Sequence, residues 1–233
     1  MAVNGTTAIV LLSGGLDSAT AAYLAAERGF TVCALTVDYG QKHGVEVRSA
    51  RQIAEAIGAT EHKVIQLDLR SFGGSALTAD IPVPKGEAAP GSANIPVTYV
   101  PARNTILLAL ALAYAEAVGA ADIFIGVNAV DYSGYPDCRP AFIEQFEKLA
   151  ALATKAGAQG CGFKIHAPLI GMRKAEIVHE GLRLGVDFAK THSCYDPDED
   201  GRACGQCESC LLRRQGFKDA GAHDPTRYAR SPG

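Results

Sequence analysis

At 233 residues, 48% hydrophobic and 20% charged, the chain has room for one large α/β domain with a small appendage, and too little for two full domains. A net charge of −3 excludes a general electrostatic attraction for nucleic acid. Seven cysteines, an odd number, argue against a disulfide framework and for the reducing cytoplasm.

In chain order, Met1–Gly5 carries no positive stretch and reads as no signal peptide. Apolar runs predict strands at Thr7–Leu12, Thr31–Asp38, Lys63–Leu67, Ile123–Val127 and Lys164–Pro168. Between them, helical patterns cover Ser18–Arg28, Val45–Ile57, Thr105–Val118, Ala141–Ala156 and Lys174–Leu184, each followed directly by glycine, the residue that ends helices in the left-handed conformation. The most apolar run, Leu107–Ile125, is broken by Glu116 and Asp122 and reads as a buried helix and strand, not a membrane span. The alternation predicts a Rossmann-like, mostly parallel sheet with helices on both faces, which binds ligands at the carboxyl ends of its strands. Residues 71–101 break the rhythm with five prolines; a loop this long predicts a partly mobile flap over the site. Residues 202–233 are locally basic and read as a solvated tail, the alternative being an RNA-binding patch.

Ser13-Gly14-Gly15-Leu16-Asp17-Ser18 joins the first strand to the first helix. Paired glycines let backbone amides approach an oxyanion, and the helix start adds its positive dipole end. Ser13 and Ser18 can donate hydroxyl hydrogens, and Asp17 can hold a Mg2+ that bridges phosphates. The segment has neither the Gly-Lys-Ser/Thr ending of a Walker loop nor the G-x-G-x-x-G dinucleotide pattern.

Near the other end, Cys194, Cys204, Cys207 and Cys210 follow the spacing C-x9-C-x2-C-x2-C. Each C-x2-C turn can present two sulfurs to one point, and Cys194 returns across a polar loop as the fourth. This predicts a structural zinc remote from the chemistry, with an iron–sulfur cluster as the alternative. Cys33, Cys138 and Cys161 are scattered and read as small apolar residues. None of the six histidines shows a pairing that suggests catalysis.

The hexapeptide resembles the pyrophosphate loop of the N-type ATP pyrophosphatases. That resemblance implies that Leu12, Ser13, Gly14, Gly15, Leu16, Asp17 and Ser18 hold the phosphates of an ATP cleaved to AMP and pyrophosphate. It places adenine against Thr36, Val37 and Asp38. Together with Val-Pro-Ala-Arg-Asn-Thr at Val100–Thr105, Asp131–Pro140 and the late cysteines, it forms an ordered set that closely resembles the 7-cyano-7-deazaguanine synthase family. The proline- and alanine-rich stretch Pro84–Pro90 departs from that pattern. The resemblance implies ATP-dependent conversion of 7-carboxy-7-deazaguanine and ammonia to the nitrile, by a cytoplasmic homodimer with zinc and Mg2+ and no nucleic acid or membrane partner. Residues 1–190 would then form the catalytic α/β domain, with 71–101 as a flexible loop, and 191–233 the zinc-binding segment. Lys174 or Arg173 would join the loop as phosphate clamp, although Lys174 reads equally as a surface charge. Arg103 and Asn104 would contact phosphate or the substrate carboxylate, Asn104 alternatively capping its helix. Asp131 or Asp137 would accept the paired donors of the base, and Tyr132 or Tyr135 would stack on it. A tRNA sulfurtransferase working through Cys138 or Cys161 is the competing enzyme reading.

Overall fold

Five strands form one sheet in the order β3-β2-β1-β4-β5, every neighbouring pair parallel. They are β1 (Thr7–Leu11), β2 (Thr31–Asp38), β3 (Glu61–Gln66), β4 (Asp122–Phe124) and β5 (Lys164–His166). A computed structural model provides this architecture, and it describes residues 6–40, 44–86, 95–131 and 134–229.

Alternation along the central strand assigns the helices to faces. Ala8, Val10 and Leu12 share a core with α1 (Leu16–Glu27), α2 (Val45–Ala56) and two later helices, α6 (Lys174–Arg183) and α7 (Glu208–Asp219). Ile9 and Leu11 point the other way, against α3 (Arg103–Val118) and α4 (Pro140–Ala153). Both faces of β1 and β2 are therefore covered, which is why their sequences are continuous apolar runs. A four-residue helix, α5 (Lys155–Ala158), follows α4. The predicted single helix breaks at Thr154, an extended residue whose hydroxyl donates to Ala150 O and accepts from Gly157 N–H. Among the described residues no helix is long and apolar enough to cross a membrane.

Other expectations shift as well. The α3 helix begins two residues earlier than predicted, so Arg103 and Asn104 lie in its first turn. The described parts of 71–101 are packed: Ser75, Ala76, Leu77, Thr78, Val83, Thr98 and Val100 are buried. Of these, Ala76, Leu77, Val83 and Val100 form a third core with Cys194, Cys207 and Cys210, a partner that helical or strand periodicity cannot reveal. Residues 87–94, the remainder of the predicted flap, lie outside the described residues. Finally, the basic C-terminal stretch is no solvated tail where α7 runs. Arg213 is 2% exposed and Phe217 1%, the latter edge-on to Phe188 at 5.3 Å. The buried side of α7 includes Ser209, Arg213 and Gly216, so no apolar stripe announced it in the sequence.

Candidate active site

Strand order reverses between β1 and β4, and the crevice this leaves at their carboxyl ends is where open α/β sheets take ligands. A pocket of about 210 Å3 lies there. An apolar cavity of about 150 Å3 already accepts benzene, so a bicyclic base fits this one.

One end is built by the Ser13–Ser18 loop. Gly14 has φ +87°, and a Cβ there would overlap Glu46 O and lie 2.9 Å from Ala50 N, because α2 packs directly on the turn. Only glycine satisfies both constraints. Gly15 caps α1 without a side-chain hydrogen bond, leaving first-turn amides for an anion. The hydroxyls of Ser13 and Ser18 lie 2.9 Å apart and accept from Gly15 N–H and Ser13 N–H respectively. Gly126, after β4, runs so close to α1 that a Cβ would lie 2.8 Å from Ser18 Cα.

Lys174, the first residue of α6, reaches into this end with a side chain only 8% exposed. Its ammonium donates to both oxygens of Asp17, at 2.8 and 2.7 Å, and lies 3.3 Å from Asp131. Burial pushes the Asp131 carboxyl above its ordinary value, Lys174 opposing and Asp17 adding to the rise. Asn128 aims Asp131: its carbonyl oxygen accepts from the amides of Val130 and Asp131 at 2.9 and 2.7 Å. Its amide nitrogen donates to Leu169 O and Met172 O. Of the two cations considered as clamps, Lys174 is on the pocket wall; Arg173 is exposed and is not. Of the β2 residues expected to face adenine, Val37 lines the pocket. The Thr36 hydroxyl is spent on Leu12 O at 2.6 Å, and Asp38 accepts from Gly40 N–H at 3.3 Å.

The other end is aromatic and cationic. Ala102, the only non-glycine with positive φ among the described residues (+55°), precedes α3; strain of this kind costs about 1–3 kcal/mol and gathers at functional sites. It turns Arg103 over the Tyr39 ring, 5.8 Å from its centroid, with Nη1 donating to the Tyr39 hydroxyl at 3.3 Å. Burial opposes the guanidinium charge, but Tyr39, Tyr195 and Tyr135 outweigh it and raise the Arg103 pKa. Tyr135 shares a 2.8 Å hydrogen bond with Thr98 from the packed loop and meets Tyr99 edge-on at 5.8 Å.

Asn104 is not the helix cap. Its backbone N–H is itself capped by Asp137 Oδ2 at 3.0 Å, and its side-chain nitrogen donates to Asp137 O and Cys138 Sγ. Asp137 therefore sits behind the pocket wall that Asn104 and Cys138 form, with Oδ1 buried and without a hydrogen-bond partner. Tyr132 lies outside the described residues. Burial, with Asp137 adding to it, pushes the Cys138 thiol up to about 12, which makes it a poor thiolate. Cys161 is exposed and off the pocket.

Tyr39, Glu46, Asn128, His192, Ser193, Tyr195, Ser209 and Arg213 also line the pocket without having been singled out in the sequence. Tyr39 directly follows β2, so its place was open to inference from the strand-end rule. His192 is fixed by its N–H donating to Gly14 O at 2.8 Å. Arg213 is tied to Asp224, Thr191 and Phe188 O and was legible in the sequence only as part of the basic stretch 202–233.

The sulfurs of Cys194, Cys204, Cys207 and Cys210 lie within 4.8 Å of one another; four thiolates at 2.3 Å from a zinc would stand about 3.8 Å apart. Backbone N–H groups of Cys204 and Asp196 point at Cys194 Sγ, and those of Gln206 and Cys207 at Cys204 Sγ, all at 3.2–3.4 Å. Such donors suit thiolate ligands, and the cluster fits a metal such as zinc. It is not remote from the pocket, because Tyr195 and Ser209, neighbours of its cysteines, lie on the pocket wall.

The chain matches the family described as queuosine biosynthesis protein QueC over residues 7–221. It is 60% identical over 225 residues to the 7-cyano-7-deazaguanine synthase of Myxococcus xanthus, covering 96% of this chain and 98% of the relative. With the synthase of Thiobacillus denitrificans it shares 64% identity over 224 residues, with the same coverages. A solved structure of a predicted tRNA methyltransferase subunit from Methanocaldococcus jannaschii superposes with a TM-score of 0.50 at 17% identity, covering 96% of each chain. That likeness speaks to the fold alone.

Proposed function

This chain belongs to the QueC family of queuosine biosynthesis, and from that premise we propose that it converts 7-carboxy-7-deazaguanine, ammonia and ATP into 7-cyano-7-deazaguanine through adenylated intermediates. The observation that carries the reading is the joining, in one pocket, of an anion loop with a paired lysine to a buried arginine ringed by tyrosines.

A carboxylate resists ammonia because oxide is a hopeless leaving group. Attack of its oxygen on the α-phosphorus of ATP, with loss of pyrophosphate, gives an acyl-adenylate. Ammonia then displaces AMP to form the amide. Adenylation of the amide oxygen by a second ATP, followed by loss of AMP and protons, leaves the nitrile. The loop amides and Lys174 hold the pyrophosphate leaving group in both activations. Arg103 pairs with the substrate carboxylate and turns it toward the loop. Asp131, raised by burial, takes a proton from the attacking ammonia. Asp131 or Asp137 reads the base edge, Asp137 after a shift of Asn104 and Cys138 that uncovers its free oxygen, with Tyr135 against the ring. Asp17 offers oxygen donors that Mg2+ takes, and the ion would supply positive charge to the phosphates. Zinc at the cysteine cluster would be structural. The same reading makes the protein a cytoplasmic homodimer acting on the free base, which light scattering of the purified protein checks.

Incubation with the carboxylate, ammonium and ATP, followed by mass spectrometry and nucleotide chromatography, tests the proposal. The expected products are the nitrile and, per nitrile, two AMP and two pyrophosphate. ADP and orthophosphate would overturn the adenylation chemistry while leaving the substrate standing.

A further inference from the structure

Gly216 lies in the interior of α7, where glycine is the least favoured residue short of proline. Its surroundings explain it. A Cβ at 216 would overlap Lys174 Cγ, lie 2.9 Å from Lys174 Cβ and 3.3 Å from its backbone carbon. The aliphatic stem of Lys174 is therefore pressed flat against bare α7 backbone, while its ammonium emerges at Asp17 and Asp131. A lysine stem ordinarily keeps many rotamers; here α7 closes off one side of its space. The position of α7 is fixed independently, by Arg213 to Phe188 O and Thr191 and by Phe217 in the core.

We propose that Gly216 is a positioning residue for Lys174: its missing side chain lets α7 seat the lysine stem so that the ammonium is held at the phosphate end of the pocket. The kinetic consequence rests on the proposed ATP chemistry, but the contact itself does not. A misplacement of about 1 Å at a reacting centre costs on the order of a hundredfold in rate, so a displaced Lys174 lowers kcat for AMP formation and leaves affinity for the deazaguanine within about twofold.

The test uses the full-length, metal-loaded protein and three readouts. In Gly216→Ala, mild acetic anhydride labelling followed by peptide mass spectrometry should show Lys174 modified about tenfold faster, the signature of a locally released side chain. The melting-temperature loss caused by Gly216→Ala should at least halve in a Lys174→Ala background, since residues in contact are not additive. In turnover, kcat should fall while base affinity holds. Unchanged Lys174 labelling in a folded Gly216→Ala protein overturns the proposal, and so does a melting loss that is the same in both backgrounds. Where Gly216→Ala leaves no folded protein, recovery of folding in the double variant supports the contact and continued failure overturns it. A wild-type protein without turnover refutes the proposed function and leaves the labelling and melting results to decide this one.

Discussion

The two ends of the pocket are built in opposite ways. At the Ser13–Ser18 end a single hexapeptide supplies the loop, and its shape follows from one positive-φ glycine and one helix start. At the aromatic end Tyr39, Arg103, Tyr135 and Tyr195 arrive from four separate segments, and the backbone is strained at Ala102 to present Arg103. A phosphate asks only for amides and a dipole, which one local segment can provide. A particular heterocycle asks for rings and charges set around its edge, and only tertiary packing can bring those together.

The largest expected effect strikes both ends at once. Chelation of a zinc held by the cysteine cluster, or Cys207→Ser, should remove an anchor for Tyr195 at one end and for α7 behind Lys174 at the other. Structural zinc in small peptides contributes about 10–16 kcal/mol of apparent binding energy, so loss of soluble, folded protein is the expected result, followed by metal analysis and thermal melting. A folded, metal-free protein that binds both ATP and base would detach the cluster from the pocket; iron in the native protein would overturn the assignment to zinc.

Asp17→Asn should separate the ends. It leaves the nearly buried Lys174 ammonium facing an amide, and breaking a buried pair costs about 3 kcal/mol, read from the urea midpoint. Both activations should slow together while base affinity is retained; equal loss of ATP and base binding would show that the two ends are one unit. Asp137→Asn probes the opposite end. Exchanging one buried acceptor for a donor costs about 1–3 kcal/mol, and calorimetry should find weaker base binding with ATP binding spared. If Asp131→Asn weakens the base and Asp137→Asn does not, the reader of the base is Asp131.

The smallest effect lies beneath the β2 end of the pocket. Thr36 spends its hydroxyl proton on Leu12 O, so the His62 Nε2–H, 2.8 Å away, donates to Thr36. Burial, with Arg51 adding, pushes the His62 imidazole below its ordinary value. The folded protein thus binds this proton less readily than the unfolded chain, so the His62 contribution is complete above about pH 6.5 and fades as pH falls through the lowered folded value. His62→Gln should flatten the dependence of the denaturation midpoint on pH across that window; an unchanged slope would assign it elsewhere.

What the sequence revealed follows the same divide. Thr7–Leu11, Thr31–Asp38 and the glycine-ended helices announce themselves because both faces of a parallel strand are apolar and helix stops are local. Asp17 and Lys174, 157 residues apart, were each named for a phosphate role, and the structure brings them to 2.7 Å. Tyr39 and Tyr195 went unnoticed because a lone tyrosine carries no periodic signal. The α7 helix escaped because its buried face is made of serine, arginine and glycine as much as leucine and phenylalanine. Asn104 was weighed as a cap; its true position, itself capped from Asp137, depends on a contact 33 residues away that no local pattern encodes.

The third core has a consequence for how the molecule comes into being. It joins Leu69, Leu77, Val83 and Val100 to Cys194, Cys207 and Cys210, contacts separated by roughly a hundred residues of chain. Closing loops of that span is slow compared with forming local structure. The near-in-sequence half of the sheet, β1 to β3 with the Ser13–Ser18 loop, should therefore be in place while the aromatic wall is still open, with Leu77 and Val100 bare to solvent until the cysteine segment docks. Refolding watched by stopped flow should show nucleotide affinity appearing before base affinity, the second step quickening with metal concentration. If both affinities arrive in one phase, the wall and the loop fold as a single unit.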